Sequence, residues 1–209
     1  MKVAVFTASK GGTGKTTLAF NVGLEAAKTG SVFFVDQDPQ KSLTGLLEGC
    51  KADASRVSLL EDVGSLSDAL RRLKKAGYDR DYMFIDTPGS FMNIIKDAIE
   101  VADCLVLPLQ ASPLDFLAQK DVAADIEAMG KKDRTVFVLN KADMRSSLTA
   151  ETLDLLGPLS PHPPMIVHQR VAYPRACIGS LSAGDLSKEA AKEVRDLWEV
   201  IRTVAETKK

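Results

Sequence analysis

Three cysteines in 209 residues, Cys50, Cys104 and Cys177, are too few and too scattered for a disulfide framework, and none has metal-ligand spacing. A reducing cytoplasm is the setting this predicts. Long apolar runs are also missing. Nothing approaches the roughly 20 consecutive apolar residues that span a bilayer, and no basic leader with an apolar stretch precedes the first strand-like run, so neither export nor a membrane span is expected. Charge of one sign is scarce: 27 Lys+Arg against 28 Asp+Glu leave a net −1. That is not the basic balance of a dedicated nucleic-acid-binding domain, so only local basic patches remain to be considered. There is no internal repeat or low-complexity tract. The single Pro-rich stretch, residues 157–164, is too short to be an interdomain linker and predicts a turn into a last strand.

What is present is a soluble globular composition, 45% apolar and 26% charged, with a length that suits one domain spanning 1–209. Short apolar runs at Val3–Phe6, Val32–Val35, Tyr82–Ile85, Cys104–Leu107, Val136–Leu139 and Met165–Val167 read as strands. Because they are apolar without alternation, they predict a sheet covered on both faces. Amphipathic stretches lie between and after them: Thr16–Thr29, Leu66–Ala76, Met92–Val101, Asp115–Met129, Leu148–Leu156 and Ser187–Ala205. Gly30, Gly77 and Gly130 fall where helix C-caps are expected. The repeated strand–helix–strand order predicts an α/β domain, a mostly parallel twisted sheet with helices on both faces.

The segment Lys10-Gly11-Gly12-Thr13-Gly14-Lys15-Thr16-Thr17 follows the first strand and opens the first helix, the context that a phosphate-binding loop requires. Ser9 stands where the general pattern has its first glycine. The three glycines still let backbone N–H groups close around phosphate at a helix N-terminus. In this reading Lys15 contacts the β- and γ-phosphates and the Thr16 hydroxyl ligates Mg²⁺. The fold class sharpens to a P-loop NTPase.

Lys10 lies outside the ordinary pattern, and K-G-G-x-G-K-[ST] resembles the deviant Walker A motif of the ParA/MinD family of ATPases. Overall the chain is most similar to the short partition ATPases. The resemblance implies ATP as nucleotide and an ATP-sandwich homodimer in which Lys10 reaches the partner's phosphates, offsetting charge on the transferring phosphoryl group. Asp36-Gln37-Asp38-Pro39-Gln40, just past the second strand, resembles the family's D-x-D-P-Q segment. By that resemblance Asp38 positions or activates the attacking water and Asp36 supports the Mg²⁺ shell. A strand's C-terminal end is also where ligands bind in open parallel sheets. Many relatives continue this segment with glycine, whereas here Lys41 follows.

Phe84-Ile85-Asp86-Thr87-Pro88-Gly89 has the strand-then-Asp form of a Walker B element, so Asp86 is expected to hold Mg²⁺ through water. Asn140, in Leu139-Asn140-Lys141-Ala142-Asp143, carries an amide that could read the adenine edge. The same residues fit the N-K-x-D guanine motif of GTPases, and ATP is favoured because of the family resemblance. Arg170-Val171-Ala172-Tyr173, with Ala176 and Gly179, resembles the family segment near the base and the dimer interface, which makes Arg170 a candidate nucleotide contact. A plain loop is an equally good reading there.

The resemblance also implies a small ParB-like or centromere-binding partner that stimulates hydrolysis, and nonspecific DNA binding on the nucleoid. Candidate DNA contacts are Lys188, Lys192, Arg195 and Arg202 on the last helix, or Arg71, Arg72, Lys74 and Lys75. No helix-turn-helix region precedes the first strand, so an operator-binding regulator is not expected. Two alternatives stay open. A MinD-like switch would dock the last helix on lipid through Val194, Leu197, Trp198, Ile201 and Val204. Against that, the face contains one aromatic and the tail beyond it is only Glu206-Thr207-Lys208-Lys209, so packing onto the sheet is the favoured reading. A nucleotide-gated scaffold without meaningful turnover is the other alternative.

Overall fold

The computed structural model describes the chain except residues 62, 79, 90, 91, 180, 208 and 209 and the side chains of 92 and 93. Lys208 and Lys209 of the tail therefore lie outside the described residues. The strands are β1 (Lys2–Phe6), β2 (Val32–Asp36), β3 (Val57–Leu60), β4 (Tyr82–Asp86), β5 (Cys104–Leu109), β6 (Thr135–Ala142) and β7 (Met165–His168). The α-helices are α1 (Lys15–Ala26), α2 (Ser42–Glu48), α3 (Leu66–Lys75), α4 (Met92–Val101), α5 (Pro113–Ala128), α6 (Ser147–Leu156), α7 (Ala172–Gly179), α8 (Ala183–Leu186) and α9 (Lys188–Glu206). The strands form one seven-stranded sheet in the order β3-β2-β4-β1-β5-β6-β7, and every pairing is parallel. The chain builds outward from β1 to one side first and later to the other, which opens a crevice at the C-terminal ends of the central strands.

Successive strand residues enter opposite cores, as a pleated strand requires. Ala4, Phe6, Phe34 and Phe84 face one cluster with α1 and α9, while Val3, Val5, Phe33 and Ile85 face the other with α4 and α5. This two-sided burial is why the strand runs are apolar without alternation. Gly77 and Gly130 follow α3 and α5 at φ 72° and 68°, and the next N–H groups, of Tyr78 and Lys131, reach back to the Leu73 and Ile126 carbonyls at 3.0 Å. Gly30 differs from the expectation: α1 stops at Ala26, capped by αR backbone at Ala27, and Gly30 is not among the positive-φ glycines.

The last helix, α9, resolves the lipid question. Val194, Leu197, Trp198, Ile201 and Val204 are all buried in the sheet core. Trp198 stands edge-on to Tyr82, with ring centroids 4.7 Å apart, and lies 5.8 Å from Phe84. The stripe proposed as a lipid face is thus the inner face of a core helix. Among the described residues no helix is long and apolar enough to cross a membrane. Trp198→Ala is therefore expected to cost about 3–5 kcal/mol, lowering the melting temperature by about 10 °C for a chain of this size. Thermal unfolding followed by circular dichroism reads this, and an unchanged midpoint would mean that the face is not core.

Candidate nucleotide site

The loop between β1 and α1 is shaped by where its carbonyls point. Lys15 Nζ donates to the Lys10 carbonyl at 3.1 Å, and the Gly12 carbonyl accepts from Gln110 Nε2 at 3.1 Å and Lys141 Nζ at 2.9 Å. The Thr13 carbonyl accepts from Asn140 Nδ2 at 2.7 Å, and the Gly14 carbonyl opens α1 through the Leu18 N–H. With its carbonyls engaged, the loop leaves the N–H groups of Gly11, Gly12, Thr13, Gly14 and Lys15 without acceptors among the described residues. Unpaired N–H groups at a helix N-terminus form an anion site. Gly14 has φ 100°, and a Cβ there would overlap the Asn140 amide nitrogen. Gly89, beyond the second carboxylate strand, lets that turn close on the loop, since a Cβ on it would lie 3.1 Å from the Gly11 nitrogen.

The carboxylates converge on the same edge. Asp36 and Asp86 end neighbouring strands and are partners in register, and Phe6, at the end of β1, is the other partner of Asp86. Thr16 Oγ1 donates to Asp86 Oδ2 at 2.6 Å, while Asp86 Oδ1 is buried with no partner among the described residues. Burial pushes the Asp86 carboxyl up to about 7, helped by the Asp36 and Asp38 charges and opposed by the Thr16 hydrogen bond and Lys15. Burial likewise presses the Lys15 ammonium below its ordinary range, against the attraction of Asp86 and Asp38.

A hydroxyl beside a carboxylate with one unpaired buried oxygen fits Mg²⁺, which keeps most of its waters and takes few protein ligands. No cluster of three or more His, Cys, Asp or Glu that could hold a metal by itself occurs among the described residues.

Several predicted residues are placed at the site but occupied otherwise. Both Asp36 oxygens already accept hydrogen bonds, Oδ1 from the Asp38 N–H at 3.0 Å and Oδ2 from the Thr44 N–H at 2.9 Å and hydroxyl at 3.1 Å. Asp36 thus organises the D-x-D turn and the start of α2. Asp38 is half-buried, its Oδ1 accepting from the Gln40 N–H at 2.9 Å. Lys41 has φ 51°, which gives the physical reason for glycine at this position: the backbone is left-handed there. Its Nζ donates to the Asp36 carbonyl at 2.7 Å. Lys10 is half-exposed and pairs with Asp115 Oδ1 at 3.0 Å on α5 of its own chain.

Behind the loop lies a cleft of about 1240 Å³, lined by Gly14, Thr17, Asn140, Arg170, Tyr173 and Ile178 among others. Thr17 and Asn140 therefore border it as expected. The Asn140 amide is partly engaged by protein, one Nδ2 hydrogen on the Thr13 carbonyl and Oδ1 on the Lys141 N–H at 3.0 Å. Asp143, the acidic residue of the N-K-x-D alternative, has both carboxylate oxygens engaged by Arg145 at 3.0 Å. The Arg170 guanidinium turns to Glu193 at 2.7 and 2.9 Å. Segment 172–179, open between loop and family segment in sequence, is the helix α7. Sequence reasoning missed Gln110, Asp115, Lys141 as a loop clamp, and Glu193. All four act through long-range contacts without local pattern, although the K of N-K-x-D was a signal for Lys141.

Gly14→Ala combines left-handed strain with a clash on Asn140. It is expected to weaken nucleotide binding about 100-fold or more, a 1 Å displacement of a positioned loop being able to cost that much. Titration with a fluorescent nucleotide reads the change, and wild-type affinity would contradict this loop geometry.

A family model described as CobQ/CobB/MinD/ParA nucleotide binding domain matches residues 4–176. Maintenance of carboxysome distribution protein A of Halothiobacillus neapolitanus is 30% identical over 199 residues, 90% of either chain. Protein ParA of Rhizobium radiobacter is 32% identical over 153 residues, 70% of this chain and 68% of that one. In fold, the chain is similar to a plasmid partition protein from Borrelia burgdorferi bound to AMPPNP, with TM-score 0.79 and 17% identity over 97% of this chain and 98% of that one. With the family match running from β1 into α7, across the phosphate loop and both carboxylate strands, this chain belongs to the CobQ/CobB/MinD/ParA family of nucleotide-binding domains.

Proposed function

We propose that this chain is an ATP-dependent positioning switch. It binds ATP with Mg²⁺, pairs with a second copy across the two triphosphates, and hydrolyses ATP when a small ParB-like or centromere-binding protein stimulates it. Nonspecific DNA in the cytoplasm, the nucleoid, is the track. The observation that carries this reading is one loop with an ammonium at each end, Lys15 held beside the carboxylates of Asp86 and Asp38 and Lys10 paired with Asp115 at the loop's outer end. Lys15 and the loop N–H groups hold the triphosphate, and Lys10 supplies charge to the neighbour's phosphates. Asp38 orients water for attack on the γ-phosphorus, breaking the bond to the β,γ-bridging oxygen and releasing ADP and phosphate. Thr16 and Asp86 would hold Mg²⁺, which would offset negative charge developing on the phosphates. One relative is named for maintenance of carboxysome distribution, which supports a large cargo of that kind.

The two candidate DNA surfaces differ in their charge balance. On α9, Lys192 pairs with Asp196 at 2.5 Å, Arg202 pairs with Glu199, and Arg195 lies 3.7 Å from Glu25. On α3, Arg71 pairs with Asp68, but the exposed Arg72, Lys74 and Lys75 have no carboxylate partner among the described residues. Phosphate contact is therefore assigned to α3, whose cations are not neutralised by their neighbours.

Three outcomes are expected. Lys15→Ala abolishes ATP turnover, and unchanged turnover refutes the enzyme reading. Lys10→Ala retains ATP binding but stays monomeric in light scattering with a nonhydrolysable analogue, where wild type doubles in mass. Replacing Arg72, Lys74 and Lys75 with Ala weakens duplex binding by about tenfold or more and flattens its salt dependence, whereas Lys188 and Lys192 to Ala changes it little. The reverse ranking would move the track to α9.

A further inference from the structure

The cleft behind the phosphate loop is walled by β7, the turn after it and α7, and it is open to solvent: Val171 and Ile178, which line it, are 63% and 87% exposed. Three of the wall's side chains meet on one carboxylate of a different element. His168 Nδ1 lies 2.6 Å from Glu193 Oε1, and Arg170 donates to the same oxygen through Nε at 2.9 Å and Nη2 at 2.7 Å. The Tyr173 hydroxyl donates to Glu193 Oε2 at 3.0 Å. The Glu193 side chain is only 10% exposed and does not itself line the cleft. It stands on α9 beside Val194 and Ala190, both packed in the sheet core.

We propose that Glu193 is a positioning residue for the base end of the nucleotide site, pinning the cleft wall to the core through His168, Arg170 and Tyr173. This rests on reading the cleft as the base site. The pinning draws the Arg170 guanidinium onto α9, so the wall offers the base Val171, Pro174, Cys177 and Ile178, a surface suited to a flat, uncharged heterocycle. The carboxylate is poorly hydrated, and its removal takes the shared acceptor from His168, Arg170 and the buried Tyr173 at once. Besides Glu193, the wall is held by Tyr173 and Ala176, which are buried in the core, and by the Gln169 N–H on the Ala142 carbonyl at 3.1 Å.

The test separates the two ends of the nucleotide. Binding of ATP and of inorganic tripolyphosphate, which has no base, is measured by calorimetry for wild type, Glu193→Ala, Glu193→Gln and Tyr173→Phe, alongside melting temperature. Glu193→Ala is expected to weaken ATP about tenfold, as a displaced positioning contact does, and to leave tripolyphosphate within about twofold. Glu193→Gln, which keeps an acceptor oxygen and the volume, falls between it and wild type, and Tyr173→Phe shows a smaller loss of the same kind. ATP affinity unchanged in folded Glu193→Ala overturns the proposal, as does an equal loss for ATP and tripolyphosphate. If Glu193→Ala does not fold, Glu193→Gln and Tyr173→Phe decide it by the same ratio. Wild type binding tripolyphosphate as tightly as ATP would instead remove the reading of the cleft as a base site, a separate failure.

Discussion

The geometry of the site follows from one constraint: a peptide chain cannot turn N–H groups toward an anion unless the matching carbonyls have somewhere else to go. Here the carbonyls of Lys10, Gly12, Thr13 and Gly14 are taken by Lys15, Gln110, Lys141, Asn140 and the first turn of α1. Gln110, Asn140 and Lys141 come from the C-terminal ends of β5 and β6 or just beyond, and the other two clamps from α1, so sheet and helix together hold the loop open. Two non-glycine residues with left-handed backbone, Lys41 and Lys141, border the same crevice. Strained residues of this kind cost about 1–3 kcal/mol each and persist where surrounding contacts over-determine them. Both lysines donate to a carbonyl at the site, Lys41 to that of Asp36 and Lys141 to that of Gly12, which is such a contact.

Local chemistry was legible in the sequence and long-range pairing was not. The glycines, Lys15, Thr16 and Asp86 could be read because a phosphate loop needs those residue types at fixed offsets from an apolar strand. The runs of the five inner strands were legible because burial on both faces removes alternation, and the edge strand β7 was legible from its apolar Met165–Val167 run. The edge strand β3 was missed, since all four of its residues are only half-buried and no such run marks it. The α2 helix was missed because it starts from left-handed Lys41 and contains Gly45, neither of which signals a helix in sequence.

Asn140 and Arg170 show another limit. Both line the cleft, but which partner each side chain takes depends on contacts 127 and 23 residues away. The Asp115 partner of Lys10 lies 105 residues from it. Only a fold brings such pairs together, and a single sequence carries no mark of them. The last helix was ambiguous for a different reason: an apolar stripe has the same period whether it meets lipid or a sheet. Trp198 against Tyr82 and Phe84 settles that stripe as core.

The pairing of Lys10 with Asp115 has a thermodynamic consequence. An ion pair whose lysine is 39% exposed and whose carboxylate is 14% exposed is worth little, about 0–1 kcal/mol after solvent screening. Any process that draws this ammonium elsewhere therefore gives up little attraction here, and the return regains little, so the balance is set by the other partner. Such a weak hold is what lets a molecular latch be opened by small differences in what is bound, and closed again when they vanish.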